Sequence, residues 1–291
     1  MAEWKPANGN VFQNLPISDN FMFGEIMRIP EICKLFLESL LEIGIGRIEV
    51  SKEKTISDTP GYHGIRLDVY AKGTNERYNV EMFSSMKHKP PLRRARYYQG
   101  MMDRLALETG MDYIALPESY VIFVCNFDYF GTGQAVCRRK MVVEDREDVS
   151  YDDGSHVYIL NSCYSIPNAS GPICEFLDFV RENDADRDFG SELMRAVCPA
   201  VKAVRGSVEK EEEYMVFEAM RMDLLREGRA EGRVEGRAEG RVEGHAEGFA
   251  EAFRKFAVSL HRRGLSPEDI ASDMEQPVSS VLDMLHEEGC I

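Results

Sequence analysis

From Glu227 the chain enters a four-residue repeat, Glu-Gly-Arg-Ala/Val, which runs to Val242 and then drifts through Glu243-Gly244-His245-Ala246 and Glu247-Gly248-Phe249-Ala250. In a helix successive residues turn by about 100°, so the four positions form four separate stripes, with Glu and Arg on nearly opposite sides. Such a helix cannot pair its own Glu and Arg. Pairing between chains would set Glu stripes against Arg stripes, with the glycines permitting close backbone approach, and a period longer than 3.6 favours a right-handed supercoil. Against this, each Gly costs about 1 kcal/mol relative to Ala in a helix. The segment therefore reads either as a homo-oligomer contact or as a flexible spacer. It divides the chain into a core over 1–205, a helical or flexible repeat segment over 206–252, and a small helical tail over 253–291.

The 291 residues, 44% hydrophobic and 29% charged, suffice for a buried core and exclude a disordered or fibrous chain. With 35 basic against 50 acidic residues the net charge is −15, which argues against coating nucleic acid through bulk charge. Acid concentrates in 144–153, 175–192, 209–213 and 268–288, whereas Lys87, Lys89, Arg93, Arg94, Arg96 and Arg104 share a segment with only Asp103. That stripe is either a phosphate-facing surface or a solvated helix face. The longest apolar run, Tyr120 to Cys125, falls far short of the roughly 20 residues that cross a bilayer, and the Met-Ala-Glu-Trp-Lys start lacks an apolar secretory core. A cytoplasmic protein with no membrane partner is expected. The seven scattered cysteines form neither a disulfide framework nor a zinc pattern.

Ser18-Asp19-Asn20 offers an N-cap ahead of Phe21, Phe23, Ile26, Met27, Ile32, Leu35, Phe36 and Leu40, with Pro30 between, so one kinked helix or two helices are expected. Ile45–Val50 reads as a strand. Arg66–Ala71 and Arg77–Phe83 read as a hairpin about a Gly-Thr-Asn turn, 92–109 as a helix closed by Gly110, and Tyr120–Cys125 as a buried strand. Further strands are expected at 138–143 and 156–160, then helices from Ile173. This order predicts an α/β (α+β) fold, a mixed sheet flanked by helices, with a helical C-terminal extension.

If Lys72 pairs with Arg77, Asp68 lies opposite Glu81. Leu67, Val69, Val80 and Met82 then share an apolar face, and the two carboxylates share the other with Cβ atoms about 5 Å apart. Their repulsion calls for a cation, a shared proton or a basic partner, and a hard divalent ion such as Mg²⁺ is the common solution for oxygen ligands. Two solvent-facing acids on an edge hairpin are the plainer reading of the same spacing.

The strand Asp of Arg66-Leu67-Asp68-Val69, the strand Glu of Tyr78-Asn79-Val80-Glu81-Met82, and the helix opening Arg93-Arg94-Ala95-Arg96-Tyr97-Tyr98-Gln99 resemble the PD-(D/E)xK nuclease superfamily. More closely the chain resembles the recombination-promoting nuclease family, also called PD-(D/E)xK family putative transposases. The likeness continues through Asp103, Gly110, Tyr113, Leu116, the strand at 120–125, Asp128, Asp153-Gly154, Leu160-Asn161, Glu213-Tyr214-Met215 and the glycine-glutamate repeat. It implies a restriction-endonuclease-like core and a Mg²⁺- (or Mn²⁺-) dependent DNA endonuclease that promotes DNA breakage and recombination. Asp68, Glu81 and the Met82 carbonyl would hold the metal, and Lys87, Lys89, Arg93, Arg94 and Arg96 would face DNA. Asp19 and Glu25 are weaker candidates for a further acidic ligand.

One position departs from the pattern. The superfamily places Lys two residues after the Glu and this family usually Gln, but here stands Phe83, projecting to the same side as Glu81. Either Lys87, Lys89, Arg93 or Arg94 supplies the missing polar group, or the chain is a catalytically inactive DNA-binding or oligomeric scaffold. The tail, with Ser266-Pro267-Glu268-Asp269 opening a helix and Gln276-Pro277 turning before Val278, Val281, Leu282 and Leu285, looks like a helix-turn-helix. Its last helix is acidic, which suits a packing unit as well as a DNA reader.

Overall fold

The computed structural model describes residues 11–56, 65–84 and 91–291. Pro30 ends one helix and begins another: α1 spans Asn20–Met27 and α2 Pro30–Leu41. The Asp19 side chain caps α1 by accepting from the Phe21 N–H at 2.8 Å. Strands β1 (Glu49–Ile56), β2 (Ile65–Lys72) and β3 (Glu76–Phe83) follow, then α3 (Pro91–Ala106), β4 (Glu118–Cys125), β5 (Val136–Arg138), β6 (Met141–Val143), β7 (Arg146–Tyr151) and β8 (Ser155–Asn161). Two further helices, α4 (Gly171–Glu182) and α5 (Glu192–Arg205), precede the 55-residue α6 (Val208–Arg262), and α7 (Pro267–Asp273) and α8 (Val278–Glu287) close the chain.

Six strands form one mixed sheet in the order β1-β2-β3-β4-β8-β5, with β6 and β7 a separate pair. Strands β1, β2 and β3 pair antiparallel, β3, β4 and β8 run parallel, and β5 is antiparallel to β8. The hairpin takes the register read from its sequence, Lys72 opposite Arg77 and Val69 opposite Val80.

Both faces of this sheet are covered. Val69, Val80, Met82, Ile122, Val124 and Leu160 enter a core with α1, α2, α4 and α5, while Tyr70, Phe83, Val121, Phe123, Val157 and Ile159 pack beneath Ala95, Tyr98 and Met102 of α3. Burial on two sides explains the uninterrupted apolar run of β4. The buried stripe of α3 is 95, 98, 99 and 102, while Tyr97 and Leu105 are exposed.

Two strand boundaries also differ from expectation. Ile45 and Ile48 are buried from a loop and the strand begins at Glu49, so their apolar character marks core contact rather than pairing. The expected strand at 138–143 is two short strands joined to different partners, and the acidic stretch after it contains β7.

The chain divides into two compact units, Met1–Phe217 and Glu218–Ile291. The first unit runs past 205 because Tyr214 packs on Phe12 and Phe21 at 5.5 and 5.4 Å and Phe217 on Phe21 at 5.8 Å. In the second unit Ala257, Leu260, Ile270, Ala271, Met274, Val281 and Leu285 form a small core. Ser266 caps α7 by accepting from the Asp269 N–H, and Glu275 takes the left-handed turn conformation at φ 51°, where a glycine would be unstrained. The repeat residues lie within α6, and a Cβ added at Gly228, Gly232, Gly236, Gly240, Gly244 or Gly248 would meet nothing within 4 Å among the described residues. All seven cysteines are free thiols. Among the described residues no helix is long and apolar enough to cross a membrane.

Candidate metal centre

Asp68 and Glu81 occupy β2 and β3 on the sheet face covered by α3, where continuation of the hairpin register sets them opposite each other. The reading of two solvent-facing acids on an edge hairpin does not hold for Glu81: Tyr70, Phe83 and α3 enclose that face, and the Glu81 side chain is only 2% exposed. A carboxylate removed from water needs partners for both oxygens. Oε1 accepts from the Asp68 backbone N–H at 3.4 Å and from Asn79 Nδ2 at 3.3 Å, and Oε2 accepts from Arg94 Nη2 at 3.1 Å. The Tyr98 hydroxyl lies 3.5 Å from Oε2 and accepts from Arg94 Nε at 3.0 Å.

Burial first, and the Asp68 charge second, hold the Glu81 carboxyl above the usual carboxylate range, while Arg94, the Asn79 amide and the Asp68 N–H pull the other way. Burial and then the Glu81 charge push the Tyr98 phenol up to about 12, so it stays protonated. Asn79 is itself fully buried, and its Oδ1 has no hydrogen-bond partner among the described residues.

Phe83 is 4% exposed and does project to the Glu81 side, against Phe123 at 5.7 Å and Phe127 at 6.0 Å. The Arg94 guanidinium lies 5.6 Å from its ring centroid and 5.2 Å from that of Tyr98. Of the cations named as substitutes for a polar residue 83, Arg94 reaches in. Arg93 is exposed and Arg96 lies on the outer side of α3, and Lys87 and Lys89 lie outside the described residues. The Met82 side chain enters the opposite core, and its backbone pairs with β4 at Val124. Asp19 and Glu25 are engaged elsewhere, Asp19 as the α1 cap and Glu25 with Arg28 and Lys210, each at 2.9 Å.

A second group was not anticipated. Glu118, Asp152 and His156 each offer a ligand atom, and the three lie within 4.8 Å of one another, an arrangement that could hold a metal ion. His156 Nε2 sits 2.6 Å from Glu118 Oε2 and 4.0 Å from Asp152 Oδ1, and Tyr120 stacks on its ring at 4.5 Å. Parallel β4–β8 pairing sets Tyr120 opposite His156 at the strand starts, whereas Glu81 is level with Phe123. Three residues further along β3–β4, the Glu81 pair therefore lies about 10 Å away along the strands and on the other sheet face. No protein-family model, curated protein or solved structure matches the chain.

Proposed function

We propose that this protein is a divalent-metal-dependent DNA endonuclease of the PD-(D/E)xK, recombination-promoting type, with Asp68 and Glu81 as its metal ligands. The observation that carries the reading is the buried Glu81 carboxyl set across the hairpin from Asp68, whose charge raises it, with the unpartnered amide oxygen of Asn79 beside it. Hard carboxylate and amide oxygen donors fit Mg²⁺ or Mn²⁺. Asp68, Glu81 and the Met82 carbonyl would hold the ion, which when bound supplies a lowered water pKa and charge stabilisation at phosphorus. The chain's own part is to hold the Glu81 carboxylate between the Asp68 N–H, Asn79 and Arg94, and to keep water from one side of it with Phe83. Arg93 and Arg96 on α3 provide sequence-independent phosphate contacts near that carboxylate.

The test is nicking of supercoiled plasmid with Mg²⁺, with Mn²⁺ and with EDTA. Metal-dependent nicking lost in Asp68→Asn and Glu81→Gln is the expected result. The second reading, a catalytically silent DNA-binding scaffold, is favoured by the buried Phe83 and by the engagement of both Glu81 oxygens. DNA binding without nicking under any metal would decide for it.

A further inference from the structure

Glu81 has one cationic partner among the described contacts, and that partner is poorly placed to stay if a metal arrives. Arg94 Nη2 donates to Oε2 at 3.1 Å, the same oxygen a divalent ion on this face would need. Charges of +1 and +2 sharing one oxygen repel strongly in a site this dry. The guanidinium has somewhere to go. Its side chain is 27% exposed while Glu81 is 2% exposed, so part of it is open to solvent. The guanidinium is also held by the rings of Phe83 and Tyr98 and by the Tyr98 hydroxyl, contacts that do not require the carboxylate, and Arg93 and Arg96 flank it in the sequence. A planar guanidinium among other cations is a strong phosphate ligand.

We propose that Arg94 is the resident counter-ion of Glu81 and that nucleic-acid phosphate and divalent cation bind cooperatively by exchange. The phosphate takes the guanidinium, and the cation takes the carboxylate oxygen it leaves. This deepens the metal-centre reading above and rests on it. The role of Phe83 follows. A Lys or Gln at that position would compete for Oε2, whereas the ring leaves the oxygen to Arg94 and supports the departing guanidinium face. Linkage makes the coupling reciprocal, so anything that removes Arg94 strengthens cation binding, and anything that removes the Glu81 charge strengthens phosphate binding.

Both arms are measured on the full chain. Mn²⁺ titration by calorimetry at pH 8 is expected to show roughly tenfold or tighter binding in Arg94→Ala than in the parent, within the usual range of coupled sites. Arg94→Lys, which restores the charge, should return the affinity toward the parent. Arg94→Gln keeps the packing and serves if the alanine variant loses its circular dichroism signal. In the second arm, metal-free binding of a fluorescent DNA duplex should tighten several-fold in Glu81→Gln, and the double variant Glu81→Gln/Arg94→Gln should lose that gain. A folded Arg94 variant that binds Mn²⁺ no more tightly than the parent overturns the exchange. So does a Glu81→Gln gain that survives loss of Arg94. If neither the parent nor any folded Arg94 variant binds Mn²⁺, the metal-centre reading itself fails; if the parent binds Mn²⁺ and the variants do not tighten, only the exchange fails.

Discussion

Replacing Glu81 by Gln removes one titration and leaves the side chain nearly isosteric, so its effect on stability can be worked from the site. In the folded chain the Glu81 carboxyl is raised from 4.5 to about 8, by burial first and by Asp68 second. The folded state therefore holds this proton to higher pH than the unfolded state. That contribution is complete below the unfolded value and is lost as pH rises through the folded one. A tenfold change in proton affinity is worth about 1.4 kcal/mol, so the parent should lose up to about 5 kcal/mol relative to Glu81→Gln between the two values. Groups outside this cluster titrate nearly alike in both proteins, so the difference between two curves reports Glu81 together with the neighbours it is coupled to. Urea denaturation in EDTA, followed by far-ultraviolet circular dichroism at pH 5, 7 and 9, measures it. The Glu81→Gln protein should be increasingly the more stable of the two toward pH 9. Parallel pH profiles would refute the reasoning, because they would mean that Glu81 meets no net penalty for its charge.

Other consequences follow from the same geometry. Phe83→Ala should cost about 3–5 kcal/mol by denaturant unfolding, since the ring fills the space between Phe123, Phe127 and Arg94; a cost below about 1 kcal/mol would show that the ring adds little to the packing. Protons compete with cations for the raised Glu81 carboxyl, so Mn²⁺ affinity should climb as pH rises through its pKa and level off above it, and a flat titration from pH 6 to 9 would place the ion elsewhere. Deleting residues 227–251 removes no proposed ligand, so Mn²⁺ affinity should persist; if the Glu and Arg stripes pair between chains, light scattering should show a lower mass after deletion and weaker parent assembly at high salt. Equal mass with and without the repeat would leave the spacer reading.

The hairpin was legible because side-chain parity and turn position act together: parity puts Val69, Val80 and Met82 on one face, the turn selects among the registers that do so, and Lys72 does pair with Arg77. What parity alone concealed was the fate of the other face. Tyr70 and Phe83 share it with the carboxylates, and those two aromatics were the available sign that it would be covered. Helical spacing alone does not single out one apolar stripe in α3, and contact with the sheet buries Ala95, Tyr98 and Met102 while Tyr97 and Leu105 stay exposed. Ile45 and Ile48 misplaced the start of β1 because a loop residue can reach a core as well as a strand residue can. The group of Glu118, Asp152 and His156 lay beyond local reading, since only the parallel pairing of β4 with β8 brings these segments together.

Two sites in one domain could take a cation, and they lie on opposite sheet faces. Anomalous diffraction at the manganese edge from crystals soaked in Mn²⁺ separates them directly. A metal centre at the hairpin predicts a peak between the Asp68 and Glu81 carboxylates, with the Arg94 guanidinium withdrawn from Oε2. A peak confined to Glu118, Asp152 and His156, with Arg94 still on Glu81, would contradict it.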